Sequence, residues 1–326
     1  MSLRFRFWSV LLTLGCVTLP AVARAGDPFR SRSPQPIGPL TEQGFQAVFQ
    51  RGDYPEALKI LRQARQSESG EPLVYALLAS TNYVEKDWKG LAQDAAQTKA
   101  TAAALKERSP LRSHLYLAVG EFLTGAAAIA PSLDQGRIPI TAIPQALAAV
   151  QQVYENLNAA AAIDPNDPEL NLVRGFIDLM VASNLPLANA DQAIAQLEKG
   201  APVYVSQRGV AVGLRNLRRY PDALKAVDKA IAAAPDNADL YYLKAQILAD
   251  QASSENRPDL RRQAALEFRR SLQGSAQMPK RFVWQLFFEA CRNQEQLEGV
   301  GKNCVASRET ILDTPGPWGP TTVAAF

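Results

Sequence analysis

The chain has 326 residues, enough for two ordinary domains or one extended helical array, and its 47% hydrophobic content is normal for a soluble protein. Its formal net charge is +3, but Arg4, Arg6 and Arg24 belong to an N-terminal leader, and without them 32 basic residues face 32 acidic ones. The precursor's basic balance therefore says little about partners, and nucleic acid is not expected because the leader implies export. Cys16 leaves with that leader, and one histidine with the two remaining cysteines does not close a zinc tetrahedron, so neither a metal nor a cofactor is expected.

Residues 1–25 read as a secretory signal peptide. Arg4 and Arg6 start it, Trp8 to Leu19 is a short apolar run, Pro20 breaks that run, and Ala23-Arg24-Ala25 presents small residues before Gly26. The run is too short to span a bilayer comfortably, which argues against an uncleaved anchor. Lipidation at Cys16, after Leu14-Gly15, is the other alternative, although Thr13 stands where a lipobox usually has leucine. No uninterrupted run of 18 apolar residues follows Gly26, so no transmembrane segment is expected once the leader is gone. Export to a periplasm follows, with a thylakoid lumen or lipid anchoring at the envelope as alternatives. Cys291 and Cys304 then remain, twelve residues apart. In an oxidising compartment such a pair reads as a disulfide, against the alternative of two separate buried thiols.

Alanine is abundant and hairpin dipeptides are scarce, which favours an all-α chain. Residues 26–40 hold Pro28, Pro34, Pro36 and Pro39 and are expected to be a flexible arm. Helical periodicity starts at Thr41. A first helix pair is expected over about 41–67, turned at Gly52 and Tyr54, with Ala57, Leu61 and Ala64 on one face. A second, over about 71–107, opens at Glu71-Pro72 and turns at Trp88. Ser109-Pro110 starts another helix, through Leu115, Leu117 and Phe122. Ala130 to Pro144 reads as irregular, either a functional loop or a disordered insertion. The helix from Gln145 to Ile163 carries Val153, Leu157, Ala160 and then Pro165. Asp164-Pro165-Asn166-Asp167-Pro168-Glu169 is a stop-then-start signal. The unit 203–237 has the sharpest pattern, with Ala223, Val227, Ala230 and Pro235. A polar insertion is expected over 251–258, a helical cap over 279–312, and a Pro/Trp tail over 313–326 that folds into a groove or docks a partner.

Gly52-x-Tyr54-x-x-Ala57 and Tyr220-x-x-Ala223-x-x-x-Val227-x-x-Ala230-x-x-x-x-Pro235 resemble the second half of a tetratricopeptide repeat (TPR). Pro165 and Pro235 are 70 residues apart, two units of the family's length. The resemblance implies a right-handed α-solenoid of about seven helix-turn-helix pairs over 41–278. It also implies a concave groove lined by the first helix of each pair, here Tyr83, Phe176, Arg208, Val212, Arg215, Tyr242 and Gln246. Val212 and Leu243 stand where the family's carboxylate clamp has asparagine, so that mode is not expected.

Catalysis is not expected. His114 sits alone beside Leu115, and no Gly-x-Ser-x-Gly elbow, phosphate loop or Cys-x-x-Cys pair occurs. Glu85, Asp87, Asp164 and Asp167 fall at turns and caps, where acids serve helix ends. Between Val203 and Ala290, fourteen basic residues face nine acids: either a solvated surface with local pairs or a patch for an acidic partner or anionic lipid. The resulting expectation is a non-catalytic protein–protein interaction scaffold or assembly factor that binds a partner segment in its groove. The alternative is a lipid-anchored envelope biogenesis factor serving outer-membrane, pilus or cell-wall machinery. Oligomeric state is left open.

Overall fold

A computed structural model of the chain describes residues 26–134, 136, 142–184 and 189–323. Within them run fourteen helices. They are α1 (Pro39–Gln46), α2 (Tyr54–Ser67), α3 (Pro72–Glu85), α4 (Trp88–Ala104), α5 (Pro110–Asp134), α6 (Ala142–Ile163), α7 (Pro168–Asn184), α8 (Ala190–Glu198), α9 (Val203–Asn216), α10 (Tyr220–Ala233), α11 (Ala238–Glu255), α12 (Pro258–Leu272), α13 (Lys280–Glu298) and α14 (Cys304–Leu312). A π-helical turn, Ala47–Arg51, follows α1 directly. Among the described residues there is no strand, only an isolated bridge between Pro279 and Trp318. The all-α expectation is met.

Local chemistry explains most helix starts. Proline opens α3, α5, α7 and α12, where its missing N–H costs nothing. Asp53, Asp87, Asn189 and Asn303 each accept a backbone N–H of the helix they precede. The second helices of successive pairs then pack on small residues. Ala57, Leu61 and Ala64 on α2, Val153, Leu157 and Ala160 on α6, and Ala223, Val227 and Ala230 on α10 are all buried. Alanine at these positions lets neighbouring backbones approach closely, and one apolar core runs from Phe29 to Ile247. A second core covers Ala238 to Ile311.

Each helix packs on the next along the chain, and contacts also join α1 with α3, α3 with α5, α5 with α7, α7 with α9 and α9 with α11. Contacts reach across the array as well. The π-turn meets α9, and α3 meets α13. The Asn237 side chain, at the start of α11, donates through Nδ2 to the Phe49 carbonyl at 2.8 Å. Glu85, ending α3, feels the charges of Arg281 and Lys280 at the start of α13, although burial is the larger influence and its carboxyl is raised.

Several expectations need correction. Residues 26–40 are not a free arm: Phe29, Arg30 and Ile37 are buried, and Phe29 packs edge-on to Phe45 at 5.0 Å. Proline restricts the segment without freeing it, and its apolar side chains reach the core. The irregular stretch is shorter than Ala130 to Pro144, because α5 continues through Pro131 to Asp134 and α6 begins at Ala142. Apart from Gly136, residues 135–141 lie outside the described residues. The expected insertion at 251–258 is mostly helix: α11 runs to Glu255 and closes at Asn256 in the left-handed region, φ 53°. Pro110–Ser132 is long and apolar enough to cross a membrane, with a mean hydropathy of 1.3, although it interrupts its apolar run with charge. Here it packs between α4 and α6. The tail is not in a groove. It returns to the α12–α13 junction, where Lys280 N donates to Pro317 O at 2.8 Å and Gly319 N to Met278 O at 2.9 Å. The disulfide expectation is met: Cys291 on α13 is joined to Cys304 on α14 with Cα atoms 5.6 Å apart.

Candidate functional site

Four of the seven residues expected on the groove come together on α9 and α11. Arg208 binds Asp239 through Nε at 3.0 Å and Nη2 at 2.9 Å. Asp239 raises the guanidinium's pKa against the opposing effect of burial. About two turns along each helix, Arg215 Nη1 donates to Gln246 Oε1 at 2.9 Å and Nε to Asp250 Oδ2 at 2.7 Å. Gln246 Nε2 passes the chain on to Glu289 Oε2 on α13 at 2.8 Å, and Gln285 Nε2 donates to Glu289 Oε1 at 2.7 Å. Tyr242 is 4% exposed, with its ring 5.2 Å from that of Phe282. Burial first, and then the Glu289 charge, push its phenol well above the usual range.

This is a polar ladder across α9, α11 and α13. Its partners lie far apart in sequence: Arg208 to Asp239 and Arg215 to Gln246 are each 31 positions apart, and Arg215 to Asp250 is 35. Asp239, Asp250 and Glu289 were absent from the sequence-based set. Pairing each groove arginine with acids one repeat later would have found the first two. The ladder opens into a cleft of about 530 Å³ lined by Arg215, Asn216, Arg218, Tyr220, Asp250, Ser253 and Ser254.

The other expected groove residues lie elsewhere. Tyr83 is 47% exposed at the end of α3, with its ring 5.9 Å from that of Trp88. Phe176 is half-buried on α7 and packs against Gly209. Val212 packs against the apolar core. Much of the basic excess is paired locally. Arg219 meets Asp191, Lys225 meets Asp222, Lys244 meets Asp228, and Arg257 meets Asp259. Solvated pairing therefore describes this surface better than a continuous cationic patch.

A second polar cluster is buried, and the sequence reading missed it. Arg30 reaches Asp27 at 2.9 Å, Asp167 at 2.6 and 2.9 Å, and Glu169 at 2.7 Å. Arg112 reaches Glu71 at 2.7 and 3.1 Å and Glu169 at 3.3 Å. Tyr116 donates to the other Glu169 oxygen at 2.5 Å. Glu71 and Asp167 also cap α3 and α7, so the cluster ties two helix starts to the 26–40 segment. Burial works to raise Glu169, but Arg112 and Arg30 together outweigh it and hold the carboxyl below its ordinary value. The available signal was Arg112 itself: a cation in a helix's first turn opposes the helix dipole and needs an acid nearby. A cleft of about 630 Å³ lies beside it, lined in part by Arg32, Arg108, Ser109 and Asp164.

His114 Nδ1 lies 3.3 Å from Asn156 Oδ1. Among the described residues no group of three or more His, Cys, Asp or Glu is placed to hold a metal ion. Compared with known proteins, the chain matches no family model, and neither a curated protein nor a solved structure matches it.

Proposed function

We propose that this protein is an exported, non-catalytic scaffold, a right-handed superhelix of TPR-like helix pairs that holds a segment of a partner protein, with a periplasm as its compartment. The ladder from Arg215 through Gln246 to Glu289, open at one end into the cleft beside Ser253 and Ser254, carries the reading. Donors and acceptors fixed on three helices meet a partner's backbone or polar side chains with little ordering cost on this side. The π-helical turn after α1 meets α9, and Phe49 meets Asn237 at the start of α11, so the cleft is the opening offered to the segment. Arg215 and Arg218 favour an acidic or carboxylate-bearing segment there.

A photo-crosslinking residue at Ser254 in the full chain, produced in its own compartment, tests this. Capture of a discrete protein is expected, weakened by Arg215→Ala. A control crosslinker at Leu266, 58% exposed on α12, should not capture it. Equal yields at both positions, or none at Ser254, would overturn the proposal.

A further inference from the structure

Gly26, the first described residue, is already held by a carboxylate. Its backbone nitrogen donates to Glu42 Oε2 at 2.8 Å, and Gln46 Nε2 donates to Glu42 Oε1 at 3.2 Å. Both donors are neutral in the uncut chain. Glu42 lies half-buried in the first turn of α1. Burial raises its pKa, the Gly26 bond lowers it in part, and the neighbouring Asp27 charge raises it again. Tyr204 of α9 faces the same carboxylate. Burial first, with the Glu42 charge behind it and Arg51 opposing, pushes that phenol up to about 12, so it is neutral at working pH. The site is therefore a desolvated carboxylate beside a second acid, held by uncharged donors.

Gly26 is also the residue that follows Ala23-Arg24-Ala25, where the leader is expected to be cut. Hydrolysis of the Ala25–Gly26 bond uses one water. The hydroxyl goes to the Ala25 carbonyl, which leaves as a carboxylate on the leader, and the Gly26 nitrogen becomes an amine that takes up a proton at neutral pH.

We propose that Glu42 is the receptor for the amino terminus created at Gly26, so that removal of the leader converts a hydrogen bond from a neutral amide into a part-buried ion pair. The proposal rests on the export reading above. Its structural consequence is local: the ion pair fastens the end of the segment that carries Phe29, Arg30 and Ile37 into the core. Any residue left ahead of Gly26 moves the ammonium about 3.5 Å or more along the chain and leaves an amide on Glu42.

Two measurements separate the two ideas. The mass of the exported chain tests processing, and an amino terminus at Gly26 is expected. A different terminus overturns the cleavage site. The ion pair is tested on the full mature chain made by cutting a fusion immediately before Gly26, whatever export does. Labelled Gly26 followed by NMR should show an α-amino pKa above its ordinary value of about 7.7–8.0, returned to that range by Glu42→Gln. Because this pKa is raised on folding, the stabilisation is complete below the ordinary value and is lost as pH rises through the raised one. Glu42→Gln should lower the Tm by about 2 °C, and far less in a chain acetylated at Gly26. An α-amino pKa unchanged by Glu42→Gln, or an equal Tm loss in the acetylated chain, overturns the proposal.

Discussion

Asn237 and Phe49 are 188 positions apart and joined by one hydrogen bond of 2.8 Å, from the Asn237 amide to the Phe49 carbonyl. The other half of the same amide caps α11, accepting from Asp239 N at 3.0 Å. A single side chain thus begins one helix and fastens it to the π-helical turn that follows α1.

The neighbouring Gly52 should tolerate no side chain. Its φ is 67°, and a Cβ there would lie 2.6 Å from Asn237 Oδ1. Gly52→Ala should cost about 2 kcal/mol, from left-handed strain plus displacement of the bridge. Asn237→Asp keeps the cap and loses the donor, so it should cost about 1 kcal/mol, while Asn237→Ala should cost more. Urea unfolding midpoints of the three variants check the order.

Removing Arg112 should be among the most damaging single changes. It strands Glu71 in the interior and leaves Glu169 to Arg30 and Tyr116 alone, and loss of one partner from a buried pair costs about 3–5 kcal/mol. Arg112→Lys should recover only part of this, because an ammonium does not reproduce the two bonds to Glu71. Thermal unfolding of the two variants gives the comparison.

Acid should act through the same cluster. Glu169 has a folded pKa below its unfolded value, so its contribution is present above the ordinary carboxylate range and is lost as pH falls through the lowered folded value. In Glu169→Gln the parent's extra loss of stability at that end of the titration should be missing. Denaturant midpoints taken from neutral pH downwards decide this.

Reduction should loosen one element and spare the rest. The Cys291–Cys304 bridge closes a short loop, worth about 3 kcal/mol in the chain-entropy model. In Cys304→Ser, amide exchange should rise first in α14, while the Arg215–Gln246–Glu289 ladder, which lies on other helices, keeps its protection. Uniform loss across α9 to α14 would show that the bridge supports the whole C-terminal region.

The tail offers a sharper mutation than its deletion. A Cβ at Gly319 would lie 2.4 Å from the Ser275 carbonyl and 2.6 Å from Val283 Cγ2. Gly319→Ala should therefore release the tail from the α12–α13 junction and raise its proteolysis, with the first core unchanged.

The sequence by itself determined the helices and the spacing of their buried faces. Ala57, Leu61 and Ala64 predict a helix because local periodicity and burial are one fact seen twice. Caps and prolines are equally local, and so are most helix starts. A pairing as close as Cys291 with Cys304 was legible for the same reason. Only the tertiary structure decided what crosses the array. Arg30 lies 137 positions from Asp167, and Asn237 lies 188 from Phe49. No local pattern encodes such a pair, because each partner already has a sufficient local role, as a cap, a turn or a polar residue among prolines. The same holds for the site. Arg208, Arg215 and Gln246 were expected on one face only through the resemblance to a tetratricopeptide repeat. That α9 meets the π-helical turn after α1, and that Asn237 at the start of α11 reaches Phe49, was decided by packing summed over many contacts between distant segments and by no single residue.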